Sequence, residues 1–289
     1  MLIFPMVCGI LFGMANLITF DMDGTLLCPD LSISENSLSA IRRAAECGKH
    51  VALCTGRSVS ELRPYLPVLL PWVRFAVCVS GALLYDLAAG KTISSETIDP
   101  DTALRAMEIT APYDPMIHFL AVDSLMQESH WEHLSDFNMG RYTEMYRKEA
   151  TMVEDLRAFY AARPWPLPKL NFYNRSVAHR KALREAIAAA GLPVEMRDAE
   201  ISSLELSPPG ITKGTGVLSL CRYLGILPED TVSVGDAEND VDSFRAVGIG
   251  VAMGNAPDSV KKEADAVVSD NAHDGCAEAI ERFIINPEN

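Results

Sequence analysis

From Leu17 onward, short apolar runs alternate with segments whose apolar residues recur at helical spacing. That is the pattern of strands that cross over through helices into a parallel sheet. LITF at 17–20 reads as a buried strand, HVALC at 50–54 as a second and RFAVCVS at 74–80 as a third. Between the first two, SENSLSAIRRAAECG places a helix start signal at Ser34 and a stop at Gly48. SVSELRPYL reads as a short helix, and GALLYDLAAGKTISSE as a hairpin around Ala89 and Gly90.

From about Glu96 the texture changes. Aromatic, His and Met residues become common, and the strand-like runs MIHFLAV, LPKLNFY, VEMRD and SSLELS mix with helical periodicity over 99–111, 151–163 and 176–190. Pro164 to Pro168 forms a break. After SPPG the first texture returns: TGVLSLCRYLG predicts a helix, TVSVG a strand, DVDSFRAVG a helix and IGVAMG another strand. The expected fold is α/β, a doubly wound, Rossmann-like parallel sheet core built from 14–95 and 209–289. An α+β cap domain, 96–208, is inserted into it.

The first twenty residues carry no charged side chain, yet they lack the basic start and small-residue cleavage site of a signal peptide. A membrane span needs about 20 apolar residues free of other duties. Here Pro5, Gly9 and Gly13 interrupt the stretch, and 17–20 are needed as a strand. Met14 opens a run, MANLITFDMDGT, that makes a complete natural start, so residues 1–13 are expected to form an extension outside the fold.

The chain has 289 residues, 48% hydrophobic and 22% charged, an ordinary globular composition. Its formal net charge of -14 and its lack of any Lys/Arg run argue against nucleic acid or an anionic membrane as partner. An anionic substrate would need local positive charge, from a metal or a placed lysine. The 7 cysteines are scattered singly, several in apolar contexts, which points to buried free thiols in a reducing compartment, the cytoplasm.

Four features fall where an open α/β sheet places ligands, at the carboxyl ends of its strands. LITF runs into Asp21-Met22-Asp23-Gly24-Thr25, two carboxylates one residue apart before a turn-permitting glycine. Alone, this is also the pattern of an acidic surface turn. HVALC ends at Thr55-Gly56-Arg57, a hydroxyl and free N–H groups suited to an anion, though Thr-Gly turns are common. Lys213 in PPGITKGTG stands between glycines just before a helix; a lone loop lysine is usually only solvated. TVSVG runs into Asp236, with Asn239 and Asp240 following, and helix capping explains one or two of these polar groups without any ligand.

The four together make an inventory for phosphoryl transfer. A carboxylate can serve as nucleophile toward phosphorus. A lysine and Mg²⁺ held by a few carboxylates can neutralise the transferring group. DMDGT, TGR, the lysine of GITKG and GDAEND resemble, in order and separation, the four motifs of the haloacid dehalogenase superfamily. Ser80-Gly81-Ala82, VAMGNAPDSVKKEAD and NAHDG add likeness to its Cof-type, sugar-phosphatase-like branch, whose cap is inserted between the second and third motifs. The likeness covers the core throughout and the cap in position and size.

The resemblance implies that Asp21 is the nucleophile and Asp23 the general acid and base. It implies a Mg²⁺ held by Asp21, the Asp23 carbonyl and Asp236. The substrate phosphate would be held by the Met22 amide, Thr55, Gly56, Lys213 and Asn239, with Asp240 orienting Lys213 or a metal-bound water. Ser80 stands where many relatives have Asn, and Phe244 where many have Met.

The expected activity is Mg²⁺-dependent hydrolysis of a small phosphorylated metabolite, a sugar phosphate or related monoester, through an aspartyl-phosphate. A phosphomutase or phosphotransferase resembling phosphomannomutase, and a non-enzymatic ligand-binding relative, are the alternatives. The second would keep phosphate on its product, and the third would be expected to lack one of the charged residues present here. The motifs do not choose among hexose, pyridoxal and flavin-pathway phosphates, and they set no oligomeric state. His130 and His133 are expected at the cap surface or facing substrate rather than as a second metal site. Phe159, Tyr160, Trp165, Phe172 and Tyr173 are expected in the cap core.

Overall fold

The computed structural model describes residues 15–286, and two sheets organise them. Strands β1 (Leu17–Phe20), β2 (His50–Cys54), β3 (Val73–Cys78), β4 (Leu83–Asp86) and β5 (Lys91–Ser95) enter the first. The next six make the second: β6 (Met116–Leu120), β7 (Ser124–Gln127), β8 (Ala150–Val153), β9 (Lys169–Tyr173), β10 (Glu195–Ala199) and β11 (Ser203–Ser207). The chain then returns to the first sheet with β12 (Thr231–Gly235), β13 (Ile249–Ala252) and β14 (Ala266–Val267). The extension expected over 1–13 lies outside the described residues.

The first sheet has the order β14-β13-β12-β1-β2-β3-β4-β5, parallel from β14 to β3 and closed by the antiparallel β4–β5 hairpin. β1 lies between β12 and β2, with Leu17 opposite Thr231 on one side and His50 on the other. Its two neighbours come from distant parts of the chain, which makes the carboxyl end of β1 a topological switch point where a crevice opens.

Unbroken apolar strands follow from burial on both faces. Ile18, Phe20, Val51 and Leu53 share a cluster with the helices Glu35–Glu46 and Gly275–Ile280. Leu17, Ala52, Cys54 and Val77 pack against Val217 and Leu220 of the helix Lys213–Leu224. The one hydroxyl in β1 is satisfied, since Thr19 Oγ1 donates to Ser233 Oγ at 3.0 Å. Ser34 caps the helix Glu35–Glu46 by accepting from the Ser37 N–H, as the sequence predicts.

The second sheet has the order β10-β11-β9-β6-β7-β8 and is antiparallel except for the β7–β8 pair. One face buries Phe119, Phe172 and Leu204 against the helices Pro100–Thr110, Leu156–Ala162 and Val177–Ala189. The period of two puts Lys169, Asn171 and Tyr173 on the opposite face, over the end of the first sheet. Ser124 N–H donates to Ser60 Oγ at 3.1 Å, and Ser60 N–H to Val122 O at 2.9 Å, which ties the two sheets' flanks together.

Some elements differ from expectation. The helix predicted over 151–163 starts only at Leu156, capped by the Asp155 carboxylate, because Ala150–Val153 pairs instead with β7. SVSELRPYL divides into a 3₁₀ turn, Ser60–Leu62, and a short helix, Leu66–Leu69. Of the aromatic set, Tyr160 and Phe172 are buried in the core expected for them, and Trp165 packs at its margin. Phe159 is exposed, and Tyr173 lies on the other face of the sheet. No described helix is long and apolar enough to cross a membrane.

The helix that opens with Lys213 is set close to the sheet by Gly216, where an added Cβ would lie 2.4 Å from Val77 Cγ1 and 2.7 Å from Gly81 Cα. Alanine would gain some helix propensity, but the collision with backbone outweighs it. Gly216→Ala is expected to destabilise the protein by about 1–3 kcal/mol, read as a lower urea midpoint with an unchanged m-value.

Candidate active site

Asp21 directly follows β1 and is held there by its own N–H, which donates to Val234 O at 3.0 Å. The chain then turns tightly through Met22–Leu26, closed by Leu26 N–H to Asp21 O and Leu27 N–H to Met22 O. Gly24 is required in this turn. Its φ is +75°, and a Cβ there would sit 2.3 Å from Asp236 Oδ2. Met22 is fully buried and anchors the turn from below.

Lys213 is almost wholly buried between two carboxylates. Its Nζ lies 2.9 Å from Asp21 Oδ1 and 2.7 Å from Asp240 Oδ1. Asp240 Oδ2 accepts the N–H groups of Asp236 and Ala237, both at 3.0 Å. Asp240 therefore has both oxygens engaged and acts as the anchor that aims the lysine. Burial by itself favours a neutral amine, but Asp21 and Asp240 outweigh it and hold Lys213 well above its ordinary range.

The carboxylates respond in the opposite way. Burial pushes Asp21 up to about 7, with Lys213 pulling it down and Asp240 adding to the rise. Burial likewise pushes Asp236 up to about 6, opposed by the hydroxyl of Thr25, which donates to Asp236 Oδ1 at 2.8 Å. Carboxylate oxygens of Asp21, Asp236 and Asp240 lie within 4.8 Å of one another. Three carboxylates against one lysine leave this pocket with excess negative charge. Two of them, Asp21 and Asp236, keep oxygen capacity for a hard cation.

The remaining predicted residues gather around the same point. Asp21, Asp23, Gly56, Lys213 and Asn239 line one cavity of about 490 Å³ between the two sheets. Thr55 is buried beneath it, its Oγ1 accepting the Arg57 N–H at 3.2 Å. Met22, Asp236 and Asp240 are not among the residues that line it.

Asp23 points away from the carboxylate cluster. Arg57 grips it with both arms, Nε to Oδ2 at 2.8 Å and Nη2 to Oδ1 at 2.6 Å, while also donating to Glu61 O and lying 5.4 Å from the centre of the Tyr65 ring. Arg57 is absent from the residues predicted for the site, although it completes the TGR run. Lys169, Asn171 and Glu205 were also missed. The signal for them is the alternation in LPKLNFY and SSLELS, where polar residues share one strand face and apolar residues the other. Ser80 adopts a left-handed φ of 56° and accepts a hydrogen bond from Lys169 Nζ at 3.1 Å, so a side chain of the second sheet reaches the core loop. His130 is buried against Phe137, and His133 is exposed.

An open α/β sheet with a buried lysine held between two carboxylates, and a third carboxylate beside them, at its switch point fits the class of phosphoryl-transfer hydrolases. A family model for haloacid dehalogenase-like hydrolases matches residues 18–280, and the chain belongs to that family. It is 26% identical over 281 residues to a pyridoxal phosphate phosphatase of Escherichia coli (strain K12), covering 93% of this chain and 99% of that one. It is 28% identical over 284 residues to a 5-amino-6-(5-phospho-D-ribitylamino)uracil phosphatase of Bacillus subtilis (strain 168), covering 92% and 97%. A protein of known structure from Thermotoga maritima superposes with a TM-score of 0.79 at 25% identity, over 93% of this chain and 97% of that one. Within its family the chain is a phosphoric monoester hydrolase.

The raised carboxylates carry a testable sign. Between the ordinary Asp value of 3.8 and about 7, the folded metal-free protein holds a proton on Asp21 that the unfolded chain has released. Its contribution to stability is therefore lost as pH rises through that window. In EDTA, the melting temperature of wild type is expected to fall relative to that of Asp21→Asn as pH is taken from 5 to 8. Parallel curves for the two proteins would refute the assignment.

Proposed function

We propose that the protein is a Mg²⁺-dependent phosphatase that hydrolyses a small phosphorylated metabolite through an aspartyl-phosphate on Asp21. The observation that carries this reading is the buried Lys213 spanning Asp21 and Asp240 at the carboxyl end of β1. A lysine kept charged in a water-poor site beside a carboxylate is suited to stabilising charge on a phosphoryl group in transfer.

In the first step an Asp21 oxygen attacks phosphorus and the bond to the leaving oxygen breaks, while Asp23 delivers its proton to that oxygen. Water then attacks the phosphorus of the acyl phosphate, Asp23 takes a proton from it, and inorganic phosphate leaves with the Asp21 carboxylate restored. The Met22 amide, Thr55, Gly56, Lys213 and Asn239 hold the phosphate oxygens. Asp240 keeps Lys213 aimed. Arg57 holds the Asp23 carboxylate at the cavity wall, where the leaving group arrives. Asp21, the Asp23 carbonyl and Asp236 would hold Mg²⁺, which supplies positive charge against the phosphate and lets Asp21 stay ionised. The acidic pair's excess negative charge supports that choice.

The relatives named above are phosphatases of pyridoxal phosphate and of 5-amino-6-(5-phospho-D-ribitylamino)uracil, which supports a small metabolite as substrate here. Free cysteines, buried at positions such as Cys54, Cys78 and Cys276, support a reducing compartment, the cytoplasm.

Phosphate release from a panel of phosphate monoesters tests the reading. Turnover is expected with Mg²⁺ and not with EDTA, and Asp21→Asn and Lys213→Met are each expected to lower kcat by about 10³-fold or more. Phosphate that stays on a product, with none released, would favour a phosphotransferase instead.

A further inference from the structure

The loop after β13 reaches across the carboxyl end of the first sheet. β13 is two strands from β1, with β12 between them. Met253 N–H donates to Gly235 O at 2.9 Å, and Met253 and Ala256 are both buried, so the loop is pinned on either side of Asn255. Asn255 itself is exposed, yet its side chain meets three separate segments of the chain. Its Nδ2 donates to Gly24 O at 2.8 Å, in the turn after β1, and to Asp236 Oδ2 at 3.4 Å, at the end of β12. Its Oδ1 accepts the Asn271 N–H at 3.2 Å.

These partners fix which way the amide faces. A carbonyl and an ionised carboxylate only accept, and a backbone N–H only donates. The nitrogen of Asn255 therefore faces Gly24 and Asp236, with one proton for each, and the oxygen faces Asn271. A flipped amide would set acceptor against acceptor twice and donor against donor once.

Asp236 is thereby held from two sides. Its Oδ1 accepts from Thr25 Oγ1 at 2.8 Å, and its Oδ2 accepts from Asn255. Each carboxylate oxygen has about two acceptor positions. One donor on each oxygen restrains rotation of the carboxylate and still leaves capacity for the cation that the acidic cluster suits. Joining loops does not require this contact, because Asn271 Nδ2 already ties the same turn by donating to Leu27 O at 2.7 Å. What Asn255 adds is a hold on the carboxylate and on the carbonyl of the glycine packed against it. Asn255 is not among the residues that line the cavity, so it is not placed to touch substrate.

We propose that Asn255 is a positioning residue for the divalent cation, its amide holding the Asp236 carboxylate and the Gly24 turn in the arrangement that receives Mg²⁺. This rests on the Mg²⁺-dependent phosphatase reading above. Partners that orient a metal-binding side chain typically contribute about 10- to 100-fold to metal affinity. Loss of the amide therefore weakens Mg²⁺ binding and leaves the chemistry intact once Mg²⁺ is saturating.

The test measures binding of Mg²⁺ alone by the full chain, without substrate. The rise in melting temperature as MgCl₂ is added, each protein taken against its own value in EDTA, yields the dissociation constant. Asn255→Ala is expected to raise that constant about 10-fold or more. Asn255→Ser, whose hydroxyl is too short to serve both acceptors, is expected to do the same, which keeps the inference testable if the alanine variant does not fold. Asn271→Ala cuts the tie to Leu27 alone and is expected to leave the constant close to that of wild type. In turnover, the Asn255 variants are expected to need more Mg²⁺ for half-maximal phosphate release and to recover the wild-type kcat and substrate KM at saturation. Asn255 variants with a wild-type constant, or an Asn271→Ala that raises it equally, would overturn the inference and leave the phosphatase reading standing. A wild type that Mg²⁺ does not stabilise would also overturn it, and phosphate release unaffected by EDTA would remove the Mg²⁺ dependence along with it.

Discussion

One buried cation organises this molecule's active end. Lys213 has no access to water and is surrounded by Asp21 and Asp240, so it stays charged only while both carboxylates keep their places. Those places are set by backbone: Asp21 by the end of β1, Asp240 by the two N–H groups after β12 that its carboxylate accepts. Removing one member of such a cluster leaves another charge uncompensated, which is far more costly than replacing the whole by apolar residues. The strand order, the close seating of the helix that begins at Lys213 and the glycine turn after β1 all serve this arrangement.

The same cluster is not at rest electrostatically. With three acidic groups to one lysine, Asp21 and Asp236 are driven toward protonation by burial. A site held in this condition gives up stability for reactivity. A divalent cation bound beside Asp21 and Asp236 would offset the excess negative charge that three carboxylates leave against one lysine. The -14 overall charge gives no hint of this, because the balance is decided within a few ångströms of Lys213.

The second sheet supplies a roof with its own division of labour. Its apolar face makes a core with three helices, and its polar face looks down on Asp21, Asp23 and Lys213. Lys169 joins that face to Ser80 in the core, and the serines at 60 and 124 join the flanks. A relay of hydrogen bonds from Asn171 through Tyr173 and His118 runs within that face and links its strands.

Much was legible from the sequence, for local reasons. Strands buried on both faces announce themselves as apolar runs, and a carboxylate or hydroxyl at the end of such a run must emerge at the sheet's edge. Hence LITF-Asp21, HVALC-Thr55 and TVSVG-Asp236 could be read without coordinates, as could the Ser34 cap. The α/β class followed from the same runs. Ala150–Val153 was misread because four residues suit a helix end as well as an edge strand, and only pairing with β7 decides between them. The two-armed grip of Arg57 on Asp23 and the meeting of Lys169 with Ser80 join residues far apart in sequence. So does the contact of Asn255 with Gly24. Periodicity specifies which face of a strand a residue occupies; what lies opposite that face depends on how the two sheets are brought together, and tertiary structure alone decides it.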